Sequence, residues 1–187
     1  MLLELIIGAI ILIVVVVFFL IYNSLIVLKN NVKKAWADID ILLQKRHDML
    51  TKLIDSVSGY MKYEKGVLTN ITQLRSAWES IPQDDVQSKI NTSNQITGAL
   101  KTLFAVMENY PDLKADNNVM QLQQSIIEIE NNLADQRESY NNAVNDFNIK
   151  IQQFPSDIVA SMMHYTSMPL YNVPEEEKQD VKVSFDQ

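Results

Sequence analysis

The chain begins with an apolar segment that differs from everything after it. Residues 5–28 carry no charge, and residues 5–21 are apolar throughout. A helix of about 20 apolar residues matches the thickness of the hydrocarbon core of a bilayer. The segment has no basic residue before it and no small-residue cleavage site after it, and a secretory signal peptide would carry both. We therefore predict a retained transmembrane anchor at residues 1–28.

Beyond the anchor, apolar residues recur at alternating spacings of four and three positions, which is typical of a coiled-coil helix. The pattern continues through Gly59 and Gly66 without a change of register, and the first proline is Pro82. We therefore predict one straight helix over residues 29–79. Each glycine destabilises a helix by about 1 kcal/mol relative to alanine, so a break near Gly59 is the alternative. The seam positions of the predicted helix are Val32, Trp36, Ile39, Leu43, Arg46, Leu50, Leu53, Val57, Tyr60, Glu64, Val67, Ile71, Leu74 and Trp78.

Two further long helices and a short one follow in the sequence. Apolar spacing predicts a second helix at 84–109, a third at 117–153 and a short fourth at 156–163. The residues between the second and third helices predict a tight turn. Pro111 cannot lie inside a helix, Asp112 can form an Asx turn, and Tyr110 and Leu113 supply apolar contacts to the bundle end.

These elements predict an all-α protein. Its N-terminal transmembrane helix continues into an elongated, coiled-coil-like, up-down bundle of three long helices and a short fourth. The predicted divisions are the anchor at 1–28, the helical bundle at 29–165 and an irregular tail at 166–187. Within that tail, Val181, Val183 and Phe185 alternate like a short extended strand.

The predicted helix lengths leave part of the first helix without a partner in its own chain. At 1.5 Å per residue, the three long helices measure about 75, 40 and 55 Å. The second helix would then end about 30 Å short of the membrane, with the turn at 80–84 distal to the membrane and the turn at 110–116 at the opposite end. Because the uncovered stretch is apolar, we predict a homo-oligomer in which it packs against neighbouring copies. The predicted contact residues are Val32, Ala35, Trp36, Ile39, Leu42, Leu43, Met49 and Leu50.

The distribution of charge bears on partners and on topology. The net charge is −7, so the chain lacks the basic surface of a nucleic-acid-binding protein. Lys29, Lys33, Lys34 and Lys45 follow the anchor, whereas Glu4 precedes it. By the positive-inside rule, this pattern predicts that the C-terminal domain lies in the cytoplasm.

Two charged residues interrupt the apolar seam. Arg46 and Glu64 would lie about 27 Å apart along a straight helix, which is too far for them to pair. Their predicted partners on the third helix are Glu130 and Arg137. One interpretation is a buried charged network that fixes the register of the helices. The other is that the long side chains reach the edge of the bundle and stay solvated.

The sequence contains no recognisable catalytic or metal-binding motif. Neither His47 nor His164 has the spacing of a metal-binding helix, the chain has no cysteine, and its four glycines are scattered. We therefore expect no enzymatic activity, no cofactor and no metal. The expected function is a membrane scaffold that self-associates and recruits partners with its distal bundle. The alternative is a membrane-bound sensor that binds a small ligand beside Arg46, Tyr60 and Gln136.

A series of short motifs resembles the LemA family along nearly the whole chain. The matching residues are Tyr22-Asn23, Asn30-Asn31-Val32, Ala35-Trp36, Ile39-Asp40, Lys45-Arg46, Asp48, Gly59-Tyr60, Glu64, Arg75, Tyr110-Pro111-Asp112-Leu113-Lys114-Ala115, Glu130-Asn131, Arg137, Tyr140-Asn141, Phe147-Asn148 and Phe154-Pro155. The resemblance implies a single-pass protein of the bacterial inner membrane with an elongated helical bundle and no established catalytic residues. Two positions depart from the family pattern. Thr51-Lys52 stand where the family usually has Pro-Asn, and Tyr63 replaces a histidine before Glu64.

Overall fold

The computed structural model describes residues 1–172, and this part of the chain is helical. The helices are α1 (Leu2–Val57), α2 (Lys65–Ser80), α3 (Val86–Met107), α4 (Pro111–Ala115), α5 (Asn117–Gln152) and α6 (Ser156–Met162). Residues 1–172 contain no strand. The predicted all-α fold, in which a long apolar N-terminal helix leads into a helical bundle, is confirmed. The predicted extended residues Val181, Val183 and Phe185 lie outside the described residues.

The first part of α1 is the apolar segment, and its side chains are largely exposed. Leu3, Ile11 and Leu20, for example, are exposed apolar residues at successive levels of the helix. Exposed aliphatic surface of this extent is unfavourable in water and favourable in lipid. By length and composition, α1 is able to cross a membrane. These properties support a membrane-anchored protein.

α1 ends at Val57, so the predicted straight helix over residues 29–79 is wrong. The backbone N–H groups of Tyr60 and Met61 both donate to the carbonyl oxygen of Val57 at 3.0 Å, which closes a turn. Met61 is fully buried, whereas Tyr60, a predicted seam residue, is 45% exposed. The low helix propensity of Gly59 weakens α1 at this point, and burial of Met61 stabilises the turn by about 2 kcal/mol.

Two compact units divide the chain. The anchor unit comprises residues 1–40 and 135–170, and the bundle unit comprises residues 41–134 with the described part of 171–187. α1 and α5 each contribute residues to both units.

In the bundle unit, α2 returns antiparallel to α1. The ring of His47 lies 3.0 Å from the carboxylate of Glu79, and Arg75 donates to the hydroxyl of Thr51 at 3.3 Å. Residue numbers therefore rise along α1 while they fall along α2. The residues after Val57 form a helical hairpin rather than a continuation of one rod.

This hairpin also sets the positions of the later turns in the bundle unit. α3 reverses direction again, and the hydroxyl of Tyr110, which follows α3, lies 3.5 Å from the carboxylate of Glu64, just before α2. The turn at 110–116 thus lies beside the end of α1, and the turn at 80–84 lies at the other end of the unit. The predicted position of the turn at 80–84, at the end of the first helix, is therefore wrong, because the predicted straight helix does not include the hairpin after Val57.

In the anchor unit, α5 packs along the part of α1 that follows the apolar run. The rings of Trp36 and Tyr140 are in contact, with their centroids 5.5 Å apart. Nearer the N-terminus of α1, Leu25 lies in a buried cluster against which Ile151 packs. α5 is therefore antiparallel to α1 and covers it. This stretch was predicted to be uncovered because the predicted third helix ran away from the membrane.

The apolar seam of α1 is thus buried within a single chain, although the predicted helix lengths left it without cover. Val32, Ile39, Leu43 and Leu50 are buried, and Ala35, Trp36, Leu42 and Met49 are partly buried. Each fully buried aliphatic side chain stabilises the fold by roughly 2 kcal/mol. A contact between copies would have to remove these side chains from the core of the single chain. Self-association of the protein stays a prediction.

Candidate functional site

The polar centre of the bundle unit is Arg46 of α1, a seam residue between leucines that is only 1% exposed. A guanidinium group buried in this way is tolerated only where acceptors surround it. Its Nη1 atom donates to Glu130 Oε1 at 2.8 Å and to Thr97 Oγ1 at 3.1 Å. Its Nη2 atom donates to Ser93 Oγ at 2.8 Å. One side chain of α1 is therefore fixed to both α3 and α5.

Two hydroxyl groups of α3 complete this Arg46 network. Ser93 and Thr97 are four residues apart, so their side chains lie on the same face of the helix. Thr97 Oγ1 donates to Glu130 Oε2 at 3.0 Å, so the carboxylate binds both the guanidinium and its neighbour. Ser93 Oγ also accepts a hydrogen bond from the hydroxyl of Tyr171 at 2.7 Å. The network is compact and charge-balanced, because Glu130 forms an ion pair with Arg46.

The structure brings together only part of the predicted charged network. Arg46 and Glu130 are in contact, whereas Glu64 lies beside Tyr110 at the end of α1. Glu64 is separated from Arg46 because the hairpin after Val57 takes it off α1. Arg137 is also buried, but it belongs to the anchor unit.

Sequence reasoning missed Ser93, Thr97 and Tyr171. The available signal was a pair of small hydroxyl residues at four-residue spacing on the apolar face of α3, between Ile90 and Leu100. Hydroxyls at core positions need a partner, and Arg46 was a candidate partner. Tyr171 gave no such signal, because it follows an aperiodic segment.

The predicted inter-helix turn lies at the end of the bundle unit. Pro111 begins the short helix α4, where its missing N–H group costs nothing. Leu113 is buried, Tyr110 is partly buried and Asp112 is exposed. The side chain of Asp116 then accepts from the backbone N–H groups of residues 118 and 119 and caps α5.

A cleft of about 120 Å³ lies beside this turn. Its walls include Phe104, Met107 and Leu113, with Glu108 and Lys114 among the lining residues. Sites for small organic ligands are typically 300 Å³ or larger, so this cleft is too small for such a ligand. The residues named for a sensor site are also not grouped around it, since Arg46 is enclosed by its own network and Tyr60 is exposed at the end of α1.

The residues after α6 are held in place by side chains of the helices. His164 has a φ of 53°, a left-handed conformation that commonly ends a helix. In the anchor unit, the side-chain amide of Asn148 accepts from Met168 N at 2.8 Å and donates to Met168 O at 2.9 Å. The hydroxyl of Tyr140 donates to Pro169 O at 3.0 Å. We call residues 164–172 the tail strap.

In the bundle unit, the end of the tail strap is equally well fixed. Tyr171 is 2% exposed and reaches the Arg46 network through Ser93. The side chain of Asn94 donates to Asn172 O at 2.8 Å. The first residues of the predicted irregular tail are therefore non-helical but specifically bound.

Two tyrosines of the described contacts, Tyr140 and Tyr110, have raised pKa values. Burial raises the pKa of Tyr140 to about 12. Burial, together with the nearby Glu64 carboxylate, also raises the pKa of Tyr110. Both phenols are thus neutral hydrogen-bonding groups at pH 7. Within the described residues, no group of three or more His, Asp or Glu side chains is arranged to hold a metal.

Comparison with known proteins agrees with the motifs in the sequence. The sequence model of the LemA family matches residues 35–185. Protein LemA of Metamycoplasma hominis is 30% identical over 162 residues, which cover 87% of this chain and 74% of that protein. Magnetosome protein MamQ 2 of Paramagnetospirillum magneticum is 20% identical over 163 residues, which cover 74% of this chain. Magnetosome protein MamQ of Magnetospirillum gryphiswaldense is 17% identical over 175 residues, which cover 81% of this chain.

The extent of these matches differs between the relatives. The chain spans 60% of the length of MamQ 2 and 64% of the length of the second MamQ, less than two thirds in each case. The family match covers most of this chain, and the match to the M. hominis protein covers 87% of this chain. This chain belongs to the LemA family.

Proposed function

We propose that this protein is a non-enzymatic helical scaffold, anchored in the bacterial inner membrane, which presents its bundle unit to partner proteins at the cytoplasmic face. The observation that carries the proposal is the length of α1. One uninterrupted helix, Leu2–Val57, contains both the apolar segment and the Arg46 region of the bundle unit. The anchor unit and the bundle unit therefore both contain residues of α1.

The interior of the bundle unit supports a structural role rather than a catalytic one. Arg46, Glu130, Ser93 and Thr97 bind one another, so the polar groups of the network are occupied by internal contacts. A network of this kind fixes the register of packed helices. The M. hominis and MamQ relatives also support this role, because neither name refers to a reaction and MamQ is named for a cellular structure, the magnetosome.

The proposed orientation rests on the charges that flank the apolar segment. Lys29, Lys33 and Lys34 follow it directly, and Glu4 precedes it. Cytoplasmic flanks of membrane spans are enriched in lysine and arginine. The bundle unit is therefore proposed to lie on the cytoplasmic side.

Photo-crosslinking in living cells tests the scaffold function. A photoreactive amino acid is placed at Tyr63 or Met120, which are exposed residues of the bundle unit, and crosslinked products are identified by mass spectrometry. We expect the same partner proteins at both sites, with crosslinks between copies if the predicted self-association occurs. A matched chain whose apolar segment is replaced by a polar sequence should lose these products.

The contrary result would be an absence of reproducible protein crosslinks in cells, combined with a metabolite that raises the melting temperature of the purified protein. That combination would exclude the scaffold and favour the sensor. Light scattering of the full chain in mild detergent adds an independent measurement, because it determines the number of copies in the particle.

A further inference from the structure

α6 packs directly against the apolar segment of α1 within the anchor unit. Leu25 of α1 forms a buried cluster with Val159 and Ala160 of α6, and Phe18 and Ile21 pack against the same cluster. Phe18 and Ile21 belong to the continuous apolar run, so the contact lies beside the span rather than beyond it.

The depth of this contact follows from the geometry of the helix. Phe18 lies about 16 Å, and Ile21 about 12 Å, along α1 before Lys29, the first charged residue after the run. A hydrocarbon core about 30 Å thick that begins near Leu5 ends near Leu25. A span over this range would place α6 at the boundary between the acyl chains and the headgroups.

The opposite side of α6 carries a row of exposed apolar residues. Phe154 is 82% exposed, Ile158 is 54% exposed and Met162 is 65% exposed. Ile158 and Met162 are four residues apart and lie along one side of α6, and Phe154 lies in the turn that precedes the helix. We call these three residues the α6 face. α6 thus buries Val159 and Ala160 on one side and exposes apolar residues on another, while Asp157 and Ser161 are polar.

The surrounding residues also match a membrane surface. Asp157 and His164 are the ionisable acidic and basic residues between Lys150 and Glu175. Asp157 lies in the first turn of α6, where the helix dipole favours a carboxylate. The Lys29 ammonium group lies 4.3 Å above the ring of Tyr165. Aromatic rings and lysines at this level are typical of the interfacial belt of membrane proteins.

We propose that the α6 face inserts into the lipid at the membrane surface, so that α6 forms a second membrane contact beside the span. The occupant is the bilayer, because α6 packs against the cluster that includes Phe18 and Ile21 of the apolar run. An interfacial helix has its apolar side in the acyl–headgroup boundary. This inference requires α1 to span the membrane, but it does not depend on the scaffold function.

Fluorescence quenching in vesicles tests the proposal. The chain has no cysteine, so single-cysteine variants of the full chain, Ile158→Cys and Met162→Cys, carry one environment-sensitive label each. The proteins are reconstituted in phosphatidylcholine–phosphatidylglycerol vesicles. Lipids with a nitroxide near the top of the acyl chain quench labels in the bilayer, and iodide quenches labels in water. Ile10→Cys in the span is the lipid control, and Tyr63→Cys, at a position 94% exposed in the bundle unit, is the aqueous control.

The labels at 158 and 162 are expected to be quenched by the nitroxide lipids to a similar extent as the label at 10. Iodide quenching is expected to be at least about threefold weaker than at 63, because iodide does not enter the bilayer. Iodide quenching equal to that at 63 would overturn the proposal. Protection from both quenchers would also overturn it, since a protein surface such as a second copy would then cover the α6 face. A label at 10 without lipid quenching would overturn the anchor as well.

Discussion

At the scale of single residues, Arg46 has the largest energetic consequence. A buried cation destabilises a fold by several kcal/mol unless acceptors replace the water that it loses. Glu130, Thr97 and Ser93 provide these acceptors from two other helices. An apolar residue would pack at the same position of the seam in several registers, whereas the guanidinium has suitable partners in only one. The network therefore specifies the alignment of α1, α3 and α5.

Removal of the Glu130 carboxylate should show how strongly the stability of the fold depends on the Arg46 network. Glu130→Ala leaves Arg46 buried without its ion pair, and we expect a loss of about 3 kcal/mol in the free energy of unfolding. Urea unfolding of the full chain in detergent provides the measurement. Glu128→Ala, at an exposed position of the same helix, is the matched control and should change stability by less than about 0.5 kcal/mol.

The double variant Arg46→Leu/Glu130→Leu leaves no unpaired charge. Its loss in free energy of unfolding should therefore be smaller than the summed losses of the single variants Arg46→Leu and Glu130→Leu. Strict additivity in this cycle would show that the two residues are not coupled.

Asp85 gives a prediction on pH at the same scale. Its carboxylate caps α3 by accepting the backbone N–H of Ser88 at 3.0 Å, and this hydrogen bond lowers the pKa of Asp85. A carboxyl group whose pKa is lower in the folded state stabilises the protein above its unfolded pKa. That contribution is lost as the pH falls through the folded value. The melting temperature of the protein should therefore decrease on acidification below about pH 4.

Asp85→Asn should keep the cap, because asparagine is also a good N-cap residue, but lose part of this acid dependence. Asp84→Asn, at an exposed neighbouring position, serves as the control. Melting curves across the acid range distinguish the two variants. If the melting temperature of Asp85→Asn depended on pH as in the parent, the cap would not depend on the charge.

At the scale of elements, the link between α1 and α2 explains why the sequence pattern predicted one straight helix. This link has seven residues, from Ser58 to Glu64. A coiled-coil repeat is also seven residues long, so the link inserts one whole repeat. The apolar pattern therefore resumes in phase at Val67 and Ile71 of α2. Periodicity identifies which face of a helix is buried, but it does not distinguish one long helix from two antiparallel helices whose link has this length. The two glycines were the only local sign of a break.

The break depends on burial of Met61 more than on a special conformation of Gly59. A Cβ atom added at Gly59 would meet nothing within 4 Å, and the backbone there is not left-handed. Gly59→Ala should therefore change the free energy of unfolding by less than about 1 kcal/mol, whereas Met61→Ala should cost about 3 kcal/mol. Tyr60→Ala, which truncates an exposed side chain, is the control for Met61. A large loss for Gly59→Ala in denaturant unfolding would contradict this assignment.

The tail strap gives a second prediction for an element. Asn148 both donates to and accepts from the backbone of Met168, so its side-chain amide satisfies both backbone groups. Asn148→Ala leaves both backbone groups of Met168 without this partner, so we expect a loss of about 2 kcal/mol. Proteolysis should then cleave near residues 164–172 faster than in the parent. Asn145→Ala, at an exposed position one turn earlier, should be cleaved at the parental rate, and equal rates for all three proteins would show that Asn148 does not hold the strap.

At the scale of the whole molecule, composition and periodicity predicted the helical class, the apolar anchor and the turn at 110–116. They also identified Arg46 and Glu130 as candidates for one network. The number of helical hairpins could not be predicted, and this number sets the direction of every later helix. Because one hairpin was missed, α5 was predicted to run in the wrong direction. The α1 seam was then predicted to be uncovered, which suggested a contact between copies. The tail strap was also missed, because contacts such as Asn148 to Met168 join an aperiodic segment to a helix.

The topology of the molecule in the membrane is the last prediction, and it rests on the lysines that follow the apolar segment. If these lysines keep their flank in the cytoplasm, a cysteine at Tyr63 should be protected from a membrane-impermeant maleimide in intact cells. It should be labelled after permeabilisation. Burial does not explain such protection, because Tyr63 is 94% exposed. A cysteine at Leu3, on the other flank and 69% exposed, should show the opposite pattern. Labelling of position 63 in intact cells would place the bundle unit outside the cytoplasm, and partners would then have to be sought on that side.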